Sequence, residues 1–373
     1  MPSKVLKPSV IAGLILVFLF SSMGFAQTGA DLEIRLDGEV LDVEANVTDG
    51  RMYVDSDQLA DETGLEVDEQ PEVALRSFFE DRGAIVVWDS RARAANIYYN
   101  VDDYSATELL AASSETMLAK NTFQMSSEGE IDFEFDTPTE ELSWPQDSAG
   151  FSLDASFSYD PFEMYMQQGI SHNEFGDISL EVAYEDGISY QRSPMLTGDV
   201  WLASEDDTDE VMEMMELVNQ MDPRVLMQLA EDFGANVYFG DSEEIDGVEY
   251  KVVNVELDEG VVESIIDEMI EDDELAEVHR AMLENLDITS YDEYLINSEN
   301  LVVDYIREDA EVNFSFDGSD LEEMMGAELG LDGDVTGYFG ISAQSEIFGV
   351  GDPIEMPTFR DVVDAEDFVH EVE

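Results

Sequence analysis

Cysteine is absent from the 373 residues. Its absence excludes disulfides, thiolate metal sites, a cysteine nucleophile and a lipidated cysteine anchor. Histidine is nearly missing, with His172, His279 and His370 alone, and beyond residue 26 the only lysines are Lys120 and Lys251. Fifteen basic side chains face 90 acids, a formal net charge of −75. Nucleic acid and anionic membranes are poor partners for that surface. Long apolar runs are lacking too. The one candidate, "VIAGLILVFLF" at 10–20, is too short for roughly 30 Å of hydrocarbon.

What is present can still bury a core, since 44% of residues are apolar and 10% aromatic. The acids are spread along the chain rather than gathered in a tail. Such a surplus repels itself unless salt screens it, and the Debye length falls to about 3 Å near 1 M. Dispersed acid with little lysine predicts a protein of strong brine; an acidic surface at low salt is the alternative. Lys4 and Lys7 before the apolar run, and small residues Gly24 and Ala26 after it, predict a signal peptide over 1–26 cleaved after Ala26. If it stays uncleaved, that segment is the single membrane contact. Either way the expected place is outside the cytoplasmic membrane, secreted or at the cell envelope.

From 31 to 100 short strands alternate with short helices. "LEIRLDG" turns at Asp37-Gly38 as a hairpin, and "RMYV" leads into a helix capped by Asp55 or Ser56 and stopped at Gly64. "ALRSFFEDRG" predicts a second helix, with strands at "AIVVWD" and "ANIYY". "LDGEVL", "DGRMYV", "LADETGLEV", "LRSFFEDRGAIVVWD" and "ANIYY" resemble the copper amine oxidase N-terminal-like domain, a stalk module of exported bacterial proteins. Gly83 to Asp89 is the most specific piece. Asp55-Ser56-Asp57 departs from the Pro-Leu-Arg usual there, and Leu75-Arg76 to Glu80 supplies a later Leu-Arg-x-x-x-Glu element. The resemblance implies a surface or wall-associated unit. It implies no copper, because 31–100 contains no histidine.

After a polar boundary at 100–108, Ser105 and Glu108 predict a capping box opening a helix over "LLAASSETMLAK". Strands with one apolar face follow: Ile131, Phe133, Phe135; Phe151 to Tyr159; Ile178 to Tyr184. Helices are expected at "DEVMEMMELVNQM", "PRVLMQLAEDFG" and 261–286, with strands at "NVYFG", "EYKVVNVELD", "NLVVDYI", "EVNFSFDG" and "DVTGYFGISAQSEIF". Residues 104–360 thus predict one α+β domain, a curved antiparallel sheet packed on helices, and 361–373 an acidic tail. In order and pattern this part resembles the LolA-like half-barrel of envelope lipoproteins, through "SATELLAASSETMLAKNTFQMSSEGEIDFEF", "DGISYQRSPMLTGDVWLAS", "EYKVVNVELDEGVVESIIDEM" and "EYLINSENLVVDYI". It lacks their lipidated cysteine. The resemblance implies a concave face able to hold acyl chains.

Chemistry is sparse. There is no G-x-S-x-G, H-E-x-x-H, P-loop or G-x-G-x-x-G, so no catalytic residue and no cofactor is assigned. His279 sits on the acidic helix, where pairing with glutamate is the simpler role. With 90 acids, carboxylate pairs arise by chance and do not mark a glycosidase. "EDDTDE", "EDDE" and "DGSDLEE" offer oxygens, but none has EF-hand spacing, so no metal ligand is assigned and a weak Ca2+ site stays open. Met212, Met215, Met221 and Met227 give two helices a soft surface that either packs in the core or lines an apolar-ligand groove. The expected function is therefore non-enzymatic: an exported envelope protein whose C-terminal part binds lipid or another apolar ligand, with an N-terminal unit for the surface or a cell-wall component. A structural or adhesive protein with a filled core is the alternative, and an unidentified hydrolase the weaker one.

Overall fold

The computed structural model describes residues 32–48, 51–67, 70–89, 93–136, 144–173, 176–195, 197–204, 235–257, 286–317 and 333–364. The N-terminal part holds seven short strands and two short helices. They are β1 (Glu33–Leu36), β2 (Glu39–Val40), β3 (Ala45–Thr48), β4 (Arg51–Asp55), α1 (Ser56–Thr63), β5 (Glu72–Ala74), α2 (Leu75–Glu80), β6 (Ile85–Asp89) and β7 (Ala94–Tyr98). Asp37 and Gly38, both at positive φ, make the β1–β2 turn. At α1 the Asp55 carboxylate accepts from the amides of Asp57 and Gln58, each at 3.0 Å. Gly64 ends the helix at φ 68°, where a side chain would be strained. Strands β2-β1-β7-β6 form one sheet and β3-β4-β5 another. Leu59, Leu75, Phe78 and Phe79 meet Ile34, Val54, Val86 and Ile97 in one apolar core.

Helix α3 (Ala106–Lys120) opens with the capping box: Ser105 Oγ accepts the Glu108 amide while the Glu108 carboxylate accepts the Ser105 amide at 2.7 Å. Four consecutive residues, Leu109 to Ala112, are buried together with Met117 and Leu118. A helix buried on every side must be enclosed rather than laid on a surface. On one side it meets β6 and Tyr98, whose hydroxyl donates to Glu115 at 3.0 Å. On the other it meets the large sheet.

That sheet is built from β8 (Thr122–Asp136), β9 (Trp144–Tyr159), β10 (Phe162–His172), β11 (Gly176–Glu185), β12 (Ile188–Arg192), β13 (Trp201–Ser204), β14 (Asn236–Phe239), β15 (Glu243–Ile245), β16 (Val248–Leu257), β17 (Leu286–Asn297), β18 (Val303–Asp317), β19 (Asp334–Phe348) and β20 (Val362–Asp364). The order is β14-β16-β17-β18-β19-β8-β9-β10-β11-β12-β13-β20, with β15 paired to β16. Every pairing is antiparallel except β13 with β20. The described chain is thus mostly β, one large curved sheet holding α3, compatible with the α+β expectation. So many twisted strands do not stay flat, and burying α3 on one face gives the curl its direction. The core joins α3 to Phe123, Phe157, Met166, Tyr294 and Ile296 across the sheet.

Few cations are available, and they sit where strands need fastening. Arg307 reaches Glu243 at 2.7 Å and Glu293 at 3.0 Å, tying β15 and β17 to β18. Arg192 pairs with Glu181 at 2.5 Å and lies 4.6 Å over the Trp201 ring. Asn121, at φ 70°, donates to the Asp160 carbonyl at 2.9 Å and accepts the Asp160 amide at 2.8 Å, pinning the β9–β10 turn to the end of α3.

Candidate functional site

Register and alternation define the two faces of the large sheet. Tyr294 and Ile306 are cross-strand partners packed in the α3 core, so every second residue from them faces inward. One step from α3, an inward row runs from Val255 through Asp292, Glu308, Ala343, Gly129 and Phe151 to Ile170. The next comprises Ser290, Ala310, Ile341, Ile131 and Ala149. The third has Ile288, Val312, Phe339, Phe133 and Asp147. The inner face therefore has two regions: a filled one, closed by α3, and an apolar one beyond it.

In the apolar region many large side chains are only half-buried, among them Ile131, Phe133, Phe151, Ile170, Phe339 and Ile341. Two glycines deepen it. Gly129 lies opposite Phe151 and Gly337 opposite Phe314, and each ring covers the place where a Cβ would stand. A ring laid down over glycine leaves room above the sheet that an upright side chain would fill.

Between the two regions lies a polar band that breaks the pattern. Asp292 and Glu308 are direct cross-strand partners on this inward face, both half-buried. Like charges so placed repel, and among the described residues no cation acts on either carboxyl. Burial, then the neighbouring Glu308, pushes the Asp292 carboxyl up to about 8; a hydrogen bond from Tyr294 works against that shift. Burial, and then Asp309, raises Glu308 as well. Beside them Ser290 is 7% exposed and its Oγ has no hydrogen-bond partner. Sequence reasoning missed this band, although its signal was there. In the alternation Ile288, Ser290, Asp292, Tyr294, Ile296, an acid stands where the period asks for an apolar residue.

His172, on β10, is buried and lies 3.0 Å from the Asp147 carboxylate, with the Phe133 ring 5.8 Å away. The Ser148 amide holds Asp147 below its usual range, and His172 adds to the effect. This pair fastens β9 to β10 at the far rim. Outside the described residues lie His279, His370, the four methionines Met212, Met215, Met221 and Met227, the signal segment, the helix expected over 261–286 except Leu286, which opens β17, and the three acidic runs that offer oxygens for Ca2+ except Asp317, which ends β18. Among the described residues no three His, Asp or Glu side chains gather as a metal cluster, and no helix is long and apolar enough to cross a membrane.

The outer face is different in kind. A cleft of about 350 Å³ opens there around Gly340, under Tyr338 and beside Tyr291, Asp132, Asp309 and Glu311. It is an open cleft, edged by carboxylates and tyrosines.

No family model matches the chain, and no curated protein matches it. Among solved structures it is similar to the Mycobacterium tuberculosis lipoprotein LppX, at 10% identity over 66% of this chain and 97% of that one, with a TM-score of 0.26. It is also similar to LprF from Mycobacterium bovis, at 12% identity over 68% of this chain and 96% of that one, with a TM-score of 0.30.

Proposed function

We propose that the protein is a non-enzymatic, exported carrier or sensor of lipid or another apolar molecule, held against the inner face of the large sheet beyond α3. The observation that carries this reading is the run of large apolar side chains, Ile131, Phe133, Phe151, Ile170, Phe339 and Ile341, left half-buried on one face. Contiguous apolar surface of this kind costs free energy until something covers it, at about 25 cal/mol per Å². In this reading residues 104–360 are the binding domain. Residues 31–100 are a stalk-like module for the cell surface or wall, and the −75 charge suits brine. The same reading assigns Met212, Met215, Met221 and Met227 to the lining of the groove.

Native mass spectrometry and lipid extraction on the chain purified in molar salt test the proposal. Co-purifying apolar molecules near unit ratio, or uptake of the dye N-phenyl-1-naphthylamine reduced by Ile170→Asn, are the expected results. An empty chain that leaves the dye unbound overturns it, and the filled-core structural reading then stands.

A further inference from the structure

The polar band on the inner face works against stability. Paired carboxyls facing each other on a sheet destabilise it, and a buried hydroxyl without a partner costs about 1–3 kcal/mol more. Both costs fall on one spot. Asp292 and Glu308 are cross-strand partners, with Cβ atoms about 5 Å apart in such pairs. Ser290 follows Asp292 two residues away on the same face, with its Oγ unpartnered and the residue 7% exposed. Tyr294, on the other side of Asp292, already donates to that carboxyl.

With both carboxyls ionised, the three groups supply acceptors at three neighbouring positions of the inner face, and no donor but the Ser290 hydroxyl. A primary ammonium carries three donors and no acceptor, which is the complement of this set. An anionic head would meet two carboxyls and, among the described residues, no cation. A bound Ca2+ requires six to eight oxygens, and the described residues gather no third carboxyl or imidazole here. The apolar rows start at the band's edge with Ala310 and Ile341, so a chain attached to the ammonium has somewhere to lie.

Resting on the carrier reading above, we infer that Asp292, Glu308 and Ser290 form the head-group site, and that it selects an amphiphile bearing a primary ammonium over neutral and anionic ones. Asp292 and Glu308 neutralise the head by ion pairing, and Ser290 accepts the third N–H. The bound cation in turn removes the repulsion between the two strands.

The test uses the full chain in constant molar salt with N-phenyl-1-naphthylamine bound. Dodecylamine, dodecanol and dodecanoate then compete for the dye. Dodecylamine is expected to displace it at about one-tenth the concentration of dodecanol, a factor equal to one 1.4 kcal/mol step, with dodecanoate weakest. Asp292→Asn with Glu308→Gln is expected to keep dye and dodecanol binding while bringing amine and alcohol within about twofold of each other. Ser290→Ala separately weakens the amine. If wild type ranks dodecanoate with the amine, the inference is overturned. It is equally overturned if the double variant keeps the amine preference, because the general charge of the surface is then the cause. Failure of the dye to bind wild type refutes the carrier reading itself.

Discussion

Replacing Asp292 by Asn keeps size and the Tyr294 hydrogen bond while removing a charge from the inner face. In the folded chain burial and then Glu308 push this carboxyl up to about 8, against 3.8 for the free group. Between those values the native state holds a proton that the unfolded state releases. The site's contribution is therefore neutral below pH 4 and grows steadily unfavourable up to about pH 8. Four units would amount to roughly 6 kcal/mol at most. The group is half-buried, part of its shift comes from the charge of Glu308, and salt screens what remains, so a gain of about 1–3 kcal/mol for Asp292→Asn is expected at high pH. Urea unfolding of wild type and variant at about pH 4.5 and about pH 9, in fixed molar salt, reads the difference directly. Comparing the two proteins at each pH cancels the other acids. The variant should match wild type at the lower pH and exceed it at the higher. An equal difference at both pH values would refute the reasoning, because a packing effect does not depend on the proton.

Gly337→Ala should cost about 1–3 kcal/mol, since the new Cβ runs into the Phe314 ring; chemical denaturation measures it, and Phe314→Leu in the same chain should recover part of the loss. Asn121→Ala should cost about 1–2 kcal/mol, through two lost bonds to Asp160 and an unfavourable positive φ, read as a lower Tm. Arg307→Met should cost about 1 kcal/mol, because Arg307 and Glu243 are each about a third exposed; the loss should shrink as salt is raised. Hydrogen exchange should then place the loosening in Glu243–Ile245 rather than in the sheet centre.

Much of the fold was legible because local signals agreed. The Asp55 and Gly64 stops of α1, the Ser105–Glu108 box of α3 and the alternation at Ile131, Phe151 and Ile178 each give the observed element. Other elements were hidden. β10 gives only a weak period-two pattern, since its inward positions mix Met164 and Met166 with Gln168 and His172. "NLVVDYI" and "EVNFSFDG" read as two strands, yet Val303–Asp317 is one, because Arg307-Glu308-Asp309 looks like a polar break. Those residues stay in the ladder because Arg307 is paired outward and Glu308 faces the band. The candidate site escaped for the same reason: among so many acids, two inward ones are found only once the strand register is fixed.

The ends of the large sheet bear on self-association. Its long strands lie in the middle, and the outermost are Asn236–Phe239 and Val362–Asp364, of four and three residues. In dilute buffer a charge of −75 would itself keep copies apart. Brine removes that protection by screening, while strengthening every apolar attraction. Short terminal strands then do what charge no longer can, presenting too little free ladder for a second copy to extend. Phe359, stacked 3.9 Å from Tyr190 and edge-on to Trp201, anchors the stretch leading to the last of them. Losing that anchor would uncover β13 and convert a self-limiting sheet into one that can grow.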